Sequence, residues 1–225
     1  PTPTPIPTLT PTAPPTADPN DLLAFADGEY AQLEARTGDA PLLCVRYEDL
    51  DADGAPEWLA LTHRPADAPR LDAFVLDRST FYTLEPAQPE PGIPDVGLGE
   101  YPVCEVEIRD LNVDGVVEIA IFGHARDNES LLHVFAWDDS SYVRLGDFSG
   151  DGGIRLTDAD GDAEEEIEVG YRVRGAPVLN WNVVHTWEAG TYGWTTDYYD
   201  WYFTDRPQRY PTHRPDYAVI AYYLA

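Results

Sequence analysis

The stretch DLNVDGVVEIAIF, residues 110–122, decides how this chain is read. It sets Asp110, Asn112, Asp114 and Glu118 at offsets of zero, two, four and eight, places Gly115 after the third of them, and passes directly into an apolar run. The same offsets fall on Asp49, Asp51, Asp53 and Glu57 in DLDADGAPEW, and on Asp158, Asp160, Asp162 and Glu166 in DADGDAEEEI. Like charges about 5 Å apart cost about 3 kcal/mol per pair at an effective dielectric near 20. Three such crowds in one register call for a positive partner.

The segment after each acidic stretch repeats as well. AFVLDRSTFYTLEP, VFAWDDSSYVRLGDF and VHTWEAGTYGWTTDYY each read as strand, polar turn, aromatic and strand, which is the signature of a hairpin. Phe81 and Tyr142 each lie 32 residues after the first Asp of their own acidic stretch, and Tyr192 lies 34 after Asp158. One unit is therefore an incoming strand, an acidic loop, an outgoing strand and a hairpin of two more. That is the content of a propeller blade, so the expected fold is all-β, with three four-stranded antiparallel repeats at about 41–100, 101–151 and 152–205. Ahead of them, Leu22, Leu23, Phe25, Ala26, Tyr30 and Leu33 recur at helical spacing, which predicts one short helix over 20–36.

Hard cations such as Ca²⁺ take six to eight oxygens, and alternate carboxylates on a tight loop supply them. A helix-loop-helix site would need a bidentate Glu at loop position 12, but that position holds Ala60, Ile121 or Val169, and the acid falls at position 9. The flanks should therefore be strands. Gly54 and Gly115 stand at position 6 and Gly161 at position 4, where positive φ is cheap for glycine.

Over residues 41–203 the repeats resemble the FG-GAP or VCBS family, the calcium-loop repeats of integrin-alpha-type β-propellers. The resemblance implies three Ca²⁺ sites, with side-chain ligands Asp49, Asp51, Asp53 and Glu57 in the first and Asp110, Asn112, Asp114 and Glu118 in the second. Asp158, Asp160, Asp162 and Glu166 would form the third. A backbone carbonyl of Ala55, Val116 or Glu164 would complete each shell. The ions would be structural, since every carboxylate is needed as a ligand. Pro56 interrupts the first loop, and the third loop has no Gly at position 6. Three blades are also fewer than the four to eight that close a propeller.

With 14 basic and 41 acidic residues the net charge is −27, which makes nucleic acid a poor partner. No 18-residue apolar run is present, so no membrane span is expected. The first 19 residues contain eight Pro and six Thr and no initiator Met or signal segment, a composition expected of an extended stalk on a mature exported product. Thr2, Thr4, Thr8, Thr10, Thr12 and Thr16 are the candidate O-glycosylation sites, and Asn128 begins the sequon Asn-Glu-Ser. The expected location is extracellular or at the cell surface. Cys44 and Cys104 are the two cysteines; in an exported protein they favour a disulfide, and the alternative is a pair of buried free thiols.

The sequence carries no H-E-x-x-H, G-x-S-x-G, phosphate-loop or dinucleotide motif, and enzymatic activity is not expected. His63 and His124 each follow their loop's first Asp by 14 residues and read as equivalent structural positions rather than zinc ligands. Thirteen of the 27 aromatic residues fall in the last 45, and Trp194 and Trp201 are candidates for stacking on sugars. The terminal run 216–225 reads as a strand without a partner in the repeat count, so head-to-tail pairing with other copies is expected. The resulting expectation is a non-enzymatic calcium-binding subunit of an extracellular fibre or surface assembly. The alternative is an adhesin or carbohydrate-binding module held off the cell by its stalk.

Overall fold

The computed structural model describes residues 40–65, 68–89, 91–172 and 180–194, together with Gln32 and Ala35. The stalk with its six threonines, most of the predicted helix, Trp201 and the predicted terminal strand lie outside the described residues. Gln32 and Ala35 are both helical.

The first sheet is a meander of β1 (Leu42–Glu48), β2 (Glu57–Arg64), β3 (Arg70–Asp77) and β4 (Thr80–Leu84). The second runs β5 (Glu105–Arg109), β6 (Glu118–Ala125), β7 (Glu129–Trp137) and β8 (Tyr142–Gly150). The third runs β9 (Gly153–Thr157), β10 (Glu166–Arg172), β11 (Asn180–Glu188) and β12 (Thr191–Trp194). All neighbouring strands are antiparallel. The fold is all-β, with three sheets of four strands in chain order and no closed propeller among the described residues. No helix among those residues is long and apolar enough to cross a membrane.

Side-chain alternation stacks the sheets in order. Successive residues of a strand point to opposite faces, and β6 is apolar on both. Ile119 and Ile121 enter one core with Leu59, Leu61, Ala73 and Val75 of the first sheet. Ala120, between them, turns the other way into a core with Ile167, Val169 and Tyr192 of the third. The second sheet is thus covered on both faces. Each fully buried Leu, Ile or Phe contributes about 1.5–3 kcal/mol of apolar burial, so these two interfaces hold the stack. At its ends the faces differ. Trp58, Ala60 and Leu76 cluster on the far face of the first sheet, whereas the far face of β10 carries Glu168, bonded by Arg155 at 2.6 Å.

The residues from β4 to β5 lace the first two sheets together. Leu98 donates its N–H to the Leu71 carbonyl at 2.8 Å, and Glu100 donates to the His124 carbonyl at 2.8 Å. Cys44 and Cys104 form a disulfide across the same boundary, with Cα atoms 6.2 Å apart. His63, a repeat-equivalent position, bonds the Glu100 carbonyl through Nε2 at 2.8 Å, as a structural histidine does. Gly123 lies so close to this segment that a Cβ would stand 1.9 Å from the Leu98 carbonyl oxygen. Gly123→Ala is therefore expected to cost about 2–3 kcal/mol, seen as a lower urea midpoint at unchanged slope; an unchanged midpoint would show that this contact is slack.

Candidate metal centres

Each acidic stretch is the eight-residue connection between the first two strands of its sheet. Glu48 pairs with Glu57, Arg109 with Glu118, and Thr157 with Glu166, closing loops 49–56, 110–117 and 158–165. The last acid is the first residue of the outgoing strand in all three.

The loops share one internal lattice. The third ligand position donates its N–H to the second: Asp53 to Asp51 Oδ1 at 3.0 Å, Asp114 to Asn112 Oδ1 at 3.0 Å, Asp162 to Asp160 Oδ1 at 3.2 Å. Ala55, Val116 and Glu164 donate in turn to Oδ1 of Asp53, Asp114 and Asp162 at 2.8, 2.8 and 2.9 Å. The first Asp accepts from a glycine N–H: Gly54 to Asp49 and Gly115 to Asp110 across five residues, Gly161 to Asp158 across three. The closing glutamate reaches back to the second residue of the loop. Leu50, Leu111 and Ala159 donate their N–H to Oε2 of Glu57, Glu118 and Glu166 at 2.7, 2.6 and 2.6 Å.

Two left-handed residues produce this turn. Position 4 is Ala52 (φ 61°), Val113 (φ 58°) or Gly161 (φ 88°), and position 6 is Gly54 (φ 87°), Gly115 (φ 90°) or Ala163 (φ 78°). The missing Gly at position 6 of the third loop is thus an exchange, not a departure: the loop needs two left-handed residues and glycine relieves one. A β-branched residue in this region is an outlier that the surroundings must enforce, so Val113 marks the second loop as strained.

The structure brings the predicted groups together unevenly. Carboxylate oxygens of Asp49, Asp51 and Asp53 all lie within 4.8 Å of one another, as do those of Asp158, Asp160 and Glu166. In the second loop Asn112 turns its amide to Asp114 Oδ2 at 3.1 Å. The three closing glutamates are each 1% exposed. Desolvation outweighs the loop hydrogen bonds and pushes Glu57 and Glu118 up to about 7, with Asp51 and Asp49 adding repulsion at the first and Asp114 and Asp110 at the second. Glu118 Oε1 and Asp110 Oδ1 are buried without a hydrogen-bond partner among the described residues. A buried carboxylate oxygen normally has one. Those orphaned acceptors, the near-neighbour oxygens and the acidic donor set fit a hard divalent cation that prefers oxygen.

Sequence reasoning missed the groups that surround the loops. Arg78, at the turn between β3 and β4, bonds Asp53 Oδ2 at 2.7 Å, and Arg109 at the end of β5 reaches Glu165 of the third loop. Glu165 also donates its N–H to the Leu111 carbonyl of the second loop at 2.7 Å. Sequence spacing does not signal such contacts, since each joins residues from different elements. Asn128 is exposed at the turn between β6 and β7, and Trp194 is exposed at the end of β12. No family model matches the chain, and no relative was found among curated proteins.

Proposed function

We propose that this protein is a non-enzymatic, calcium-stabilised structural module, in which the three acidic loops each hold one Ca²⁺. The observation that carries this reading is the buried, unpartnered Oε1 of Glu118 together with the equally unpartnered Oδ1 of Asp110, in a loop whose hydrogen-bond lattice is repeated twice more. The ligands would be Asp49, Asp51, Asp53 and Glu57, then Asp110, Asn112, Asp114 and Glu118, then Asp158, Asp160, Asp162 and Glu166. Together they carry eleven carboxylates, which three divalent ions would offset in part. Affinities of extracellular modules fall at about 10⁻⁴–10⁻³ M, a range suited to calcium levels outside cells.

The wider role is that of a subunit in an extracellular fibre or surface assembly, with residues 1–19 as its stalk. The Pro/Thr composition of that stretch, the net charge of −27 and a stack of sheets that does not close on itself among the described residues support it. Calorimetric titration with Ca²⁺ is expected to give three binding equivalents, falling to two in Glu118→Ala. Electron microscopy of the calcium-loaded material is expected to show copies strung together. Absence of heat and of binding at millimolar Ca²⁺ would remove the metal reading, and a dispersed monomer at high concentration would remove the assembly.

A further inference from the structure

The outer face of the first sheet is apolar across three strands. Leu59 and Leu61 of β2 and Ala73 and Val75 of β3 point toward the second sheet, so the residues between them point away from it. Trp58 stands between Tyr47 and Leu76 in one row of the ladder, and Ala60 stands between Val45 and Phe74 in the next. Tyr47 stacks on Trp58 with ring centroids 4.3 Å apart. All six belong to one cluster, to which only the first sheet contributes among the described residues.

That face is nevertheless shielded from water. Ala60 and Leu76 are each 3% exposed, and Thr62, next along the same face of β2, is 1% exposed. A single layer of side chains on an open sheet leaves its outer surface wet, and a contiguous apolar patch of this kind marks a contact site. Burial this complete calls for a further layer.

The chain that precedes β1 has the composition and the reach to supply it. Within 20–36, Leu22, Leu23, Ala26, Tyr30 and Leu33 fall within about 100° of arc on a helix of 3.6 residues per turn. Gln32 and Ala35 are helical and exposed, and both fall on the opposite side of that wheel. A helix over 20–36 is about 26 Å long at 1.5 Å per residue. The central strands β2 and β3, of 8 residues each, span about the same length at 3.3 Å per residue. Residues 37–41 join the segment to Leu42, and five residues reach at most about 18 Å. β1 is the edge strand of this same sheet, whose inner face is already taken by the second sheet.

We propose that the segment 20–36 docks as an amphipathic helix across the outer face of the first sheet, with Leu22, Ala26, Tyr30 and Leu33 laid against Trp58, Ala60 and Leu76. The first sheet is then covered on both faces, as the second is, and this end of the stack is closed by the chain itself rather than by another copy. Residues 1–19 are rooted on that helix, so the stalk leaves from the outside of the first sheet. None of this depends on calcium.

Photo-crosslinking in the full chain tests it, with p-benzoylphenylalanine in place of Tyr30 and a mixture of isotope-labelled and unlabelled copies. Crosslinks are expected within one chain, to peptides covering 45–47, 58–62 or 74–76, and none to those peptides from the same probe in place of Gln32. Crosslinks between labelled and unlabelled copies would assign the face to a second copy, and crosslinks to residues beyond 104, or none at all, would place the segment elsewhere. Each of these overturns the proposal. Hydrogen exchange gives a second readout without the bulky probe. In the unmodified chain the amides of 22–36 are expected to exchange about tenfold or more slower than in the isolated peptide. Leu33→Glu is expected to remove that protection and Gln32→Glu to keep it, with the second and third sheets protected in both, which separates undocking from unfolding. Free exchange over 22–36 in the unmodified chain, or protection that Leu33→Glu leaves intact, would also overturn the docking.

Discussion

Stripping calcium at pH 8 is expected to lower the melting temperature by about 10 °C or more. Each site filled at ten times its dissociation constant stabilises the fold by about 1.4 kcal/mol. Three sites give about 4 kcal/mol, and each 1 kcal/mol moves the melting point of a domain this size by about 2–4 °C. The pH dependence has a definite sign. Glu57 and Glu118 are pushed up to about 7 from an ordinary value of 4.5 because burial penalises their charge. Their neutral forms favour the metal-free fold. That stabilisation is complete below about 4.5 and is lost as pH rises through about 7. The chelated protein should therefore melt higher at pH 5 than at pH 8, while calcium, which needs the ionised carboxylates, gives its greatest benefit at pH 8. Scanning calorimetry with calcium or chelator at the two pH values checks both statements. Coincident melting curves at pH 8 would sink the metal assignment.

Replacing Cys44 and Cys104 together by serine is expected to be almost as severe. The disulfide spans a sequence separation of 60, and the chain-entropy model assigns a loop of that length about 4 kcal/mol. The bond also fastens β1 to the segment entering β5, beside the hydrogen bonds of Leu71 with Leu98 and Gly99. The melting temperature in calcium should fall by about 10 °C, and reduction of the native protein should reproduce the loss. Binding at the third loop, which lies on the opposite side of the second sheet from this boundary, should keep its affinity. If the serine variant melts with the native protein, the interface between the first two sheets is held by packing alone.

The meander was legible because it rests on local chemistry. Asp110 through Glu118 and the strand after it form one contiguous motif, and Trp137 to Tyr142 form another, so finding both in register three times sufficed to predict twelve strands. The unequal spacing of the loops, by contrast, could be read but not explained. The connection from Leu84 to Glu105 is long and bonds back to both sheets it joins, through Leu71 and His124, whereas Gly150 to Gly153 turns at once into the next sheet, where Gly152 donates to the Gly170 carbonyl at 2.8 Å. Which face meets which sheet was not legible either, since Ile119 and Ala120 are both apolar and only packing assigns one to each neighbour. The exchange of glycine between positions 4 and 6 read as an irregularity until the backbone angles placed both positions in the left-handed region. The roles of Arg78 and Arg109 depend on contacts between distant segments, and one-dimensional spacing carries little of that.

The cystine that joins β1 to the approach of β5 also has a mechanical consequence. A pull applied to the two ends of the chain would pass through the sulfur–sulfur bond and bypass the segment between Cys44 and Cys104, withholding about 200 Å of contour length from extension. Most of the first sheet would then lie inside that covalent shortcut, and tension would fall on the second and third sheets, which follow Cys104. Under load the two sheets after Cys104 would act as the extensible part, while the disulfide-closed part kept its length.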